Sequence, residues 1–388
     1  MSSRIQHSSA DKWLLIWLHV GFFFIGIITV LLGQILPILS ARLLLNDREA
    51  GYLFIAQFAG SLFGAFFYNR IIKKFGYQKM LVGGFCLMAF GCAGLNLDSR
   101  MWSAAAICFY GIGIGLTIPA TNLLVIELNS KKSSSALNII NFFWGFGAIL
   151  CKPLIDYAGS PTGIKFPTVL LAVSLLITGA AIAFSNYREN FEKKEESFEF
   201  DPPIWTTATA WLIAFFNFVH IGIESSVGGW ITTFESRLPG NTNKWLSAAF
   251  IYFSFLVLGR IFAPLLFRFL SENAVLFCSL LVMTAGTSLI LWTENFPFLL
   301  IGAAILGLGT SSIVPTNMSR FTTIFGARAT KNATPLFVLG SLGGAFMTWL
   351  VGFTSTAFDN LRAGFLIILI GCFFLLILQT ILMRIKSK

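Results

Sequence analysis

Charged side chains are scarce in this chain. Of its 388 residues only 11% are charged, with 27 Lys/Arg and 17 Asp/Glu, whereas 56% are hydrophobic. A soluble protein carries about a quarter charged residues, so these few cannot cover a globular protein of this length. The shortage excludes a soluble enzyme, a secreted module and a disordered chain. The mean hydropathy of +0.79 predicts a surface in contact with a lipid bilayer.

Motifs for chemistry are also missing from the sequence. The six cysteines lie in apolar runs and form no C-x-x-C pair, so we interpret them as small apolar residues. The sequence has no metal-ligand spacing, no nucleophile elbow and no phosphate loop. The GIGIG run from Gly111 follows no strand, which excludes a dinucleotide loop. We therefore expect no cofactor, no bound metal and no enzymatic activity.

Long apolar runs dominate what is present. Because an apolar helix crosses the bilayer in roughly 20 residues, the runs can be counted as spans. They predict an all-α membrane protein with twelve spans, near residues 13–41, 48–69, 79–97, 102–128, 136–158, 165–185, 205–235, 245–269, 274–293, 296–322, 332–356 and 362–384. The polar, proline-containing stretch at 188–204 predicts a cytoplasmic linker between six-helix bundles at 1–187 and 205–388.

The distribution of Lys and Arg predicts the orientation. If both termini are cytoplasmic, the inner segments carry 18 of the 27 basic residues and the outer segments carry 7. The remaining two, Lys152 and Arg260, fall within spans. Because basic residues accumulate in cytoplasmic loops, we expect cytoplasmic termini, and we expect a bacterial inner (plasma) membrane protein. The net charge of +10 then follows from topology, so no nucleic-acid partner is expected.

The two halves of the sequence resemble each other. Gly111, Gly113 and Pro119 in span 4 match Gly307, Gly309 and Pro315 in span 10 at a constant offset of 196 residues. Spans 5 and 11 match at an offset of 197, and spans 2 and 8 at 199. These offsets indicate a duplication, with two bundles related by a pseudo-two-fold axis along the membrane normal. Such parallel repeats are typical of secondary transporters, with the solute site between the halves.

With these features the sequence resembles the major facilitator superfamily over essentially its whole length. The segment GAFFYNRIIKKFGYQK, from Gly64 to Lys79, is similar to the family's loop motif after span 2. The motif's acid falls on Lys73 and its second basic position on Gln78, whereas Gly76, Lys74 and Lys79 match it. The resemblance implies that this loop closes an inner gate. Glu127, at the cytoplasmic end of span 4, is expected to take part in that gate.

Three short stretches are similar to the fucose–galactose–glucose symporter group and its sodium-dependent glucose transporter relatives. They are GIESSVGGWITTF from Gly222, Asn122 at the end of the span 4 motif, and SLGGAFMTWLVG from Ser341. The acids that the fucose symporter uses for sugar binding and proton coupling would fall on Gly33 and Ile118. Its mechanism is therefore not expected to transfer unchanged to this chain.

Ionisable side chains at membrane depth are costly, so each is a functional candidate. Glu224, near the middle of span 7, is either a coupling site or a structural anchor. Arg260 in span 8 either contacts the solute or pairs with another helix. Lys152 in span 5 either faces the cavity or snorkels outward. His220 precedes Glu224 by one helical turn, which predicts either a proton-sensing couple or a hydrogen-bonded core histidine.

Uncharged polar side chains in the spans supply further candidate solute contacts. Amides both donate and accept hydrogen bonds, which suits hydroxyl-rich or carboxylate ligands. The candidates are Gln34, Asn122, Asn141 and Asn317, together with Trp144, which either stacks on a sugar face or packs between helices.

The leading hypothesis is a monomeric secondary active transporter that moves a small polar solute by alternating access, driven by a proton or sodium gradient. Lys152 and Arg260 favour a carboxylated solute, whereas the resemblance favours a sugar. The alternative is an efflux pump for amphipathic compounds, favoured by the 42 Phe and eight Met. A membrane sensor or membrane enzyme is a third class, which the missing soluble domain and catalytic motifs disfavour.

Overall fold

The computed structural model describes residues 9–129, 133–159, 163–185, 204–239, 246–326, 329 and 333–384, and these residues are helical almost throughout. The all-helical prediction is confirmed. The helices are α1 (Ser9–Leu43), α2 (Asp47–Gly94), α3 (Arg100–Leu128), α4 (Ser133–Ala158), α5 (Lys165–Ala183), α6 (Ala208–Ser236), α7 (Ala248–Leu266), α8 (Glu272–Trp292), α9 (Phe296–Ser311), α10 (Ile313–Phe325), α11 (Thr334–Ala357) and α12 (Leu361–Arg384). The predicted linker at 188–204 lies outside the described residues except for Ile204, which opens a short 3-10 helix.

Eleven segments of the described chain are long and apolar enough to cross a membrane. One of them, α2, is 48 residues long and contains predicted span 2 and most of predicted span 3, which was expected to continue to residue 97. Gly76 lies between the two, and its φ of 85° and ψ of 168° are not helical. A positive φ costs glycine little, so this residue type allows the chain to change direction there.

Span 10 is divided between two helices. The apolar segment Phe296–Phe325 contains α9, which ends at Ser311, and α10, which begins at Ile313. Pro315 follows the junction within the first turn of α10. Because proline has no N–H, it cannot donate to the carbonyl four residues earlier, which is that of Ser311.

Hydroxyl side chains begin several of the helices. Ser99, Thr207, Ser247 and Ser271 precede α3, α6, α7 and α8, and each accepts a hydrogen bond from a main-chain N–H of the first turn. Such N-caps satisfy donors that a helix start leaves without a partner. The helix starts are therefore encoded locally.

The chain forms two compact units, and α1 and α2 contribute to both of them. The first unit consists of Met1–Leu31 and Ala59–Glu196. Its core includes Phe22, Phe85 and Tyr110, which are 1% exposed or less. In this unit α1 packs closely on α4, because an added Cβ at Gly26 would clash with the Trp144 carbonyl.

The second unit consists of Leu32–Phe58 and Ser197–Lys388. Here α6 packs on α11 as closely as α1 does on α4, since an added Cβ at Gly343 would clash with the Phe218 carbonyl. Gly113 approaches Gly84 in the first unit, and Gly309 approaches Met283 in the second. The matched glycines at an offset of 196 thus make corresponding helix contacts, each within its own unit.

Large apolar side chains cover much of the outer surface. Phe66, Phe90, Phe166, Ile301 and Phe373 are between 49% and 69% exposed. Soluble monomers rarely present large contiguous apolar patches, whereas a bilayer removes such side chains from water. With the eleven spans, this surface identifies an integral membrane protein.

Candidate functional site

An ion pair joins two of the predicted site residues within the second unit. Arg260 Nη2 on α7 lies 3.5 Å from Glu224 Oε1 on α6. The Nε of Arg260 donates to the main-chain oxygen of Ser311 at the end of α9, at 3.4 Å. The Glu224 and Arg260 side chains keep 20% and 33% of their surface exposed. A charged side chain within a membrane span is tolerated where it is paired or faces water, so this ion pair is a candidate functional group.

His220 lies one turn before Glu224 on α6 and is completely buried. Neither ring nitrogen has a hydrogen-bond partner within the part of the chain that the structure describes. The expected alternative of a hydrogen-bonded core histidine therefore does not describe it. Arg260 is close enough to act electrostatically on His220, and also on Tyr252 of α7. The group around Glu224 thus contains a buried histidine, a buried tyrosine and one arginine.

Gln34 is almost fully buried against α6. Its Oε1 accepts a hydrogen bond from Thr232 Oγ1 at 2.7 Å, and its Nε2 donates to the Gly228 carbonyl at 3.4 Å. The preceding residue, Gly33, is so close to α6 that an added Cβ would clash with the Gly228 carbonyl. This packing leaves no room for a carboxylate at Gly33, where the fucose symporter's acid would fall. Gln34 is the polar side chain that α1 offers instead.

Asn317 on α10 is 1% exposed and donates to the Ile213 carbonyl on α6 at 3.2 Å. Its Oδ1 has no partner in the described residues, so the side chain keeps one buried acceptor for a ligand. Asn217 makes a similar bond, donating to the Leu336 carbonyl on α11 at 3.0 Å. Both amides therefore tie α6 to its neighbours.

In the first unit, polar residues follow one face of α4. Asn138, Asn141, Lys152 and Asp156 recur at helical spacing along it. Lys152 forms an ion pair with Asp156, one turn further along the helix. Asn141 is exposed, and its amide donates to the Leu137 carbonyl of its own helix at 2.8 Å. A polar stripe on an otherwise apolar membrane helix indicates a face that is turned away from lipid.

The other two predicted contacts of the first unit are partly buried. Trp144 Nε1 on α4 donates to Thr29 Oγ1 on α1 at 3.4 Å. Asn122 on α3 has a buried Oδ1 without a partner among the described residues. Of these two, Asn122 therefore keeps the free hydrogen-bonding capacity that a ligand contact needs.

Three of the predicted gate residues, Lys74, Gly76 and Lys79, lie at or near the bend in α2. Lys74 and Lys79 are exposed, and the Lys74 Nζ lies 5.1 Å from the centre of the Phe75 ring. Gln78 donates to the carbonyls of Ile182 and Ser185, both at 2.8 Å, at the end of α5. Glu127, near the end of α3, is exposed. The amide at Gln78 thus caps a helix, at a position where the family motif has a basic residue.

Several residues of these networks were not predicted from the sequence. Thr232, Ser311 and Asp156 bind Gln34, Arg260 and Lys152 respectively. The spacing of Lys152 and Asp156 on one helix was a usable signal for their pair. A further pair, Asp47 with Arg237, joins the start of α2 to the end of α6. No sequence signal predicts a contact between residues that far apart.

Comparison with known proteins agrees with this architecture. The model of the Major Facilitator Superfamily matches residues 18–274. A glucose/galactose transporter of Brucella abortus is 25% identical over 367 residues, covering 85% of each chain. Sodium-dependent glucose transporter 1 of Xenopus laevis is 24% identical over 358 residues, which is 81% of this chain and 68% of that one.

A crystal structure of the nucleoside transporter NupG superimposes with a TM-score of 0.76 at 12% identity. The superposition covers 98% of this chain and all of that one. At that identity the likeness concerns the fold alone. The family match, however, spans more than half of the sequence, and the chain belongs to the Major Facilitator Superfamily of membrane transporters.

Proposed function

We propose that this protein is a secondary active transporter that moves a neutral, sugar-type solute by alternating access. The observation that carries the choice of solute is the pairing of Lys152 and Arg260, the two basic residues that the sequence predicts to lie within spans. Lys152 is paired with Asp156, and Arg260 with Glu224. Neither of these two cations is therefore free to hold a carboxylated solute, whereas a sugar needs hydrogen-bond donors and acceptors. The relatives named as glucose or galactose transporters support the same class.

The proposed architecture has twelve crossings in two six-helix bundles, residues 1–187 and 205–388. It requires α2 to cross the membrane twice, once on each side of Gly76. The corresponding glycine contacts in the two units support a duplicated bundle. Cytoplasmic termini, a location in the bacterial inner membrane and a monomeric state complete the proposal, and the first of these rests on the distribution of Lys and Arg.

The proposed solute contacts are the amides and the indole placed within the spans. In the first unit they are Asn122, Asn141 and Trp144, and in the second they are Gln34 and Asn317. Unpartnered buried oxygens on Asn122 and Asn317 support this role, because each can accept a hydrogen bond from a hydroxyl group. Lys152 is assigned to holding Asp156, and the loop residues Lys74, Gly76 and Lys79, with Glu127, to the inner gate.

Glu224 is the proposed coupling residue. It is an acid at membrane depth whose charge is balanced by one basic side chain, so binding or loss of a cation there changes the balance. His220, buried one turn away without a hydrogen-bond partner among the described residues, is its proposed companion.

Counterflow in proteoliposomes tests the proposal. Vesicles loaded with unlabelled glucose, galactose, xylose or fucose are diluted into the same labelled sugar, without any ion gradient. We expect transient uptake of at least one labelled sugar in vesicles that contain the protein and none in empty vesicles. Absence of counterflow across the panel, together with drug resistance of cells that express the chain, would favour an efflux pump instead.

A further inference from the structure

Arg260 is held between two oxygen atoms that belong to other helices. One is the Glu224 carboxylate on α6, 3.5 Å from Nη2, and the other is the Ser311 carbonyl of α9, 3.4 Å from Nε. A carboxylate and a main-chain carbonyl are also the oxygens with which membrane transporters coordinate Na⁺. The guanidinium group therefore lies against two oxygens of the kind that bind a metal cation.

The Ser311 carbonyl is available because of the sequence that follows it. Pro315 has no N–H, so the carbonyl four residues earlier does not receive a helical hydrogen bond from it. That carbonyl also lies at the C-terminal end of the half-helix α9, where the helix dipole places partial negative charge. Discontinuous membrane helices present this kind of end to coupling ions.

The neighbour of Arg260 brings the guanidinium to this position. Gly259 packs against Ser311 so closely that an added Cβ would clash with the serine side chain. With glycine there, α7 lies directly against the junction of α9 and α10. Gly259 and Arg260 are thus in direct contact with the start of the segment from Ser311 to Pro315.

We propose that Arg260 is a tethered cation that occupies the place of a sodium ion beside Glu224, so that transport is coupled to protons and not to sodium. A second cation at Glu224 would be repelled by the guanidinium, and this repulsion is strong away from bulk water. A proton avoids the repulsion because it binds the carboxylate covalently and removes its charge. The inference rests on the proposed transport function and names the coupling ion for it.

The proton step changes a single ion pair. A proton enters from one side of the membrane, binds a Glu224 oxygen and ends the attraction to Arg260. It leaves to the other side, and the ion pair forms again. Among the described residues, the titratable groups near this pair include His220 on α6 and Tyr252 on α7, and Cys372 on α12 lies near Tyr252.

Ion dependence is measured on the full chain in two ways. In proteoliposomes that show counterflow, sugar accumulation is driven either by a pH gradient in choline chloride or by a sodium gradient at matched pH. In detergent, the melting temperature is compared in sodium chloride and choline chloride. We expect the pH gradient alone to drive accumulation in the natural chain, and we expect sodium to leave the melting temperature unchanged.

Removing the tethered cation should create a response to sodium. In Arg260→Ser the two oxygens are left to Na⁺, and saturating sodium should raise the melting temperature by about 3 °C. Arg268→Ser, an exposed position at the end of the same helix, is the matched control and should show no sodium effect.

Accumulation driven by sodium in the natural chain would overturn the inference while leaving sugar transport intact. Sodium stabilisation of the natural chain equal to that of Arg260→Ser would overturn it as well, even if no sugar is carried. If Arg260→Ser does not fold, the two measurements on the natural chain still decide. Absence of counterflow for every sugar, by contrast, refutes the proposed function. The comparison of melting temperatures in sodium chloride and choline chloride then still tests whether Arg260 keeps sodium from Glu224.

Discussion

Arg237 at the end of α6 binds both carboxylate oxygens of Asp47 at the start of α2, with Nη1 2.8 Å from Oδ2. The same carboxylate accepts a hydrogen bond from Ser355 of α11. Next to it, the Arg48 N–H donates to Thr356 Oγ1 at 2.8 Å. The start of α2 is therefore attached to α6 and α11 within the second unit, although α2 continues into the first.

We predict that Asp47 and Arg237 are energetically coupled. The arginine is about half exposed, so the pair should contribute about 1 kcal/mol to stability. Asp47→Asn and Arg237→Gln, alone and together, form a double-mutant cycle that can be read from melting of the purified protein. A coupling energy below about 0.3 kcal/mol would show that the contact contributes nothing specific.

The packing of Gly33 predicts a steric effect. Gly33→Ala places a methyl group against the Gly228 carbonyl and should destabilise the protein by about 1–3 kcal/mol. Gly83→Ala is the matched control, because an added Cβ there meets no atom within 4 Å. Alanine should stabilise that helix by about 0.5–1 kcal/mol. Equal effects of the two substitutions on the melting temperature would contradict the close approach of α1 and α6.

The bond between Thr232 and Gln34 predicts a split between two variants. Thr232→Val keeps the shape but removes the hydrogen bond from the Thr232 hydroxyl to the buried Gln34 oxygen, which should cost about 1–3 kcal/mol. Thr232→Ser retains a hydroxyl and should cost less. If Gln34 contacts the sugar, the valine variant should also raise KM in counterflow more than the serine variant does. Identical behaviour of both would indicate that the hydroxyl is unimportant.

The ion pair on α4 tests whether the solute is neutral. Lys152→Met leaves Asp156 with an uncompensated charge and should destabilise the protein by up to about 3 kcal/mol. Combining Lys152→Met with Asp156→Leu removes both charges and should restore stability and sugar counterflow. Failure of the double variant to carry sugar, despite normal folding, would indicate that the lysine contacts the solute directly.

How much of this could be read from the sequence depends on the range of each interaction. The spans follow from apolar runs, and the bend at Gly76 follows from a residue type that tolerates positive φ. The Lys152–Asp156 pair is also local, four residues apart on one helix. The partner of Gln34 is 198 residues away, and the Glu224–Arg260 pair depends on how α6 meets α7. Such contacts arise from packing, which a single sequence does not specify.

The same distinction explains the departure at Gly33. From the sequence alone, the missing acid looks like a lost function, with Gln34 next to it as a substitute. The structure gives the physical reason, since the close approach of α1 to Gly228 leaves no room for a carboxylate side chain at Gly33. Away from the ends of the described spans, Glu224 is the acid that pairs with a basic residue of another helix, Arg260. Coupling is therefore expected to depend on α6 rather than on α1.

Glu224→Gln tests that dependence. Glutamine has a similar shape but neither binds nor releases a proton, so the variant should behave as if it were permanently protonated. We expect it to retain counterflow and to lose accumulation driven by a pH gradient, with counterflow that no longer changes with pH. Glu235→Gln is a matched control on the same helix, because Glu235 is buried and its carboxylate accepts the Ala248 N–H at 2.8 Å at the start of α7. Glu235→Gln should lose stability yet still concentrate the sugar. Accumulation of the sugar by Glu224→Gln would assign coupling to another residue, and so would the loss of accumulation in a folded Glu235→Gln.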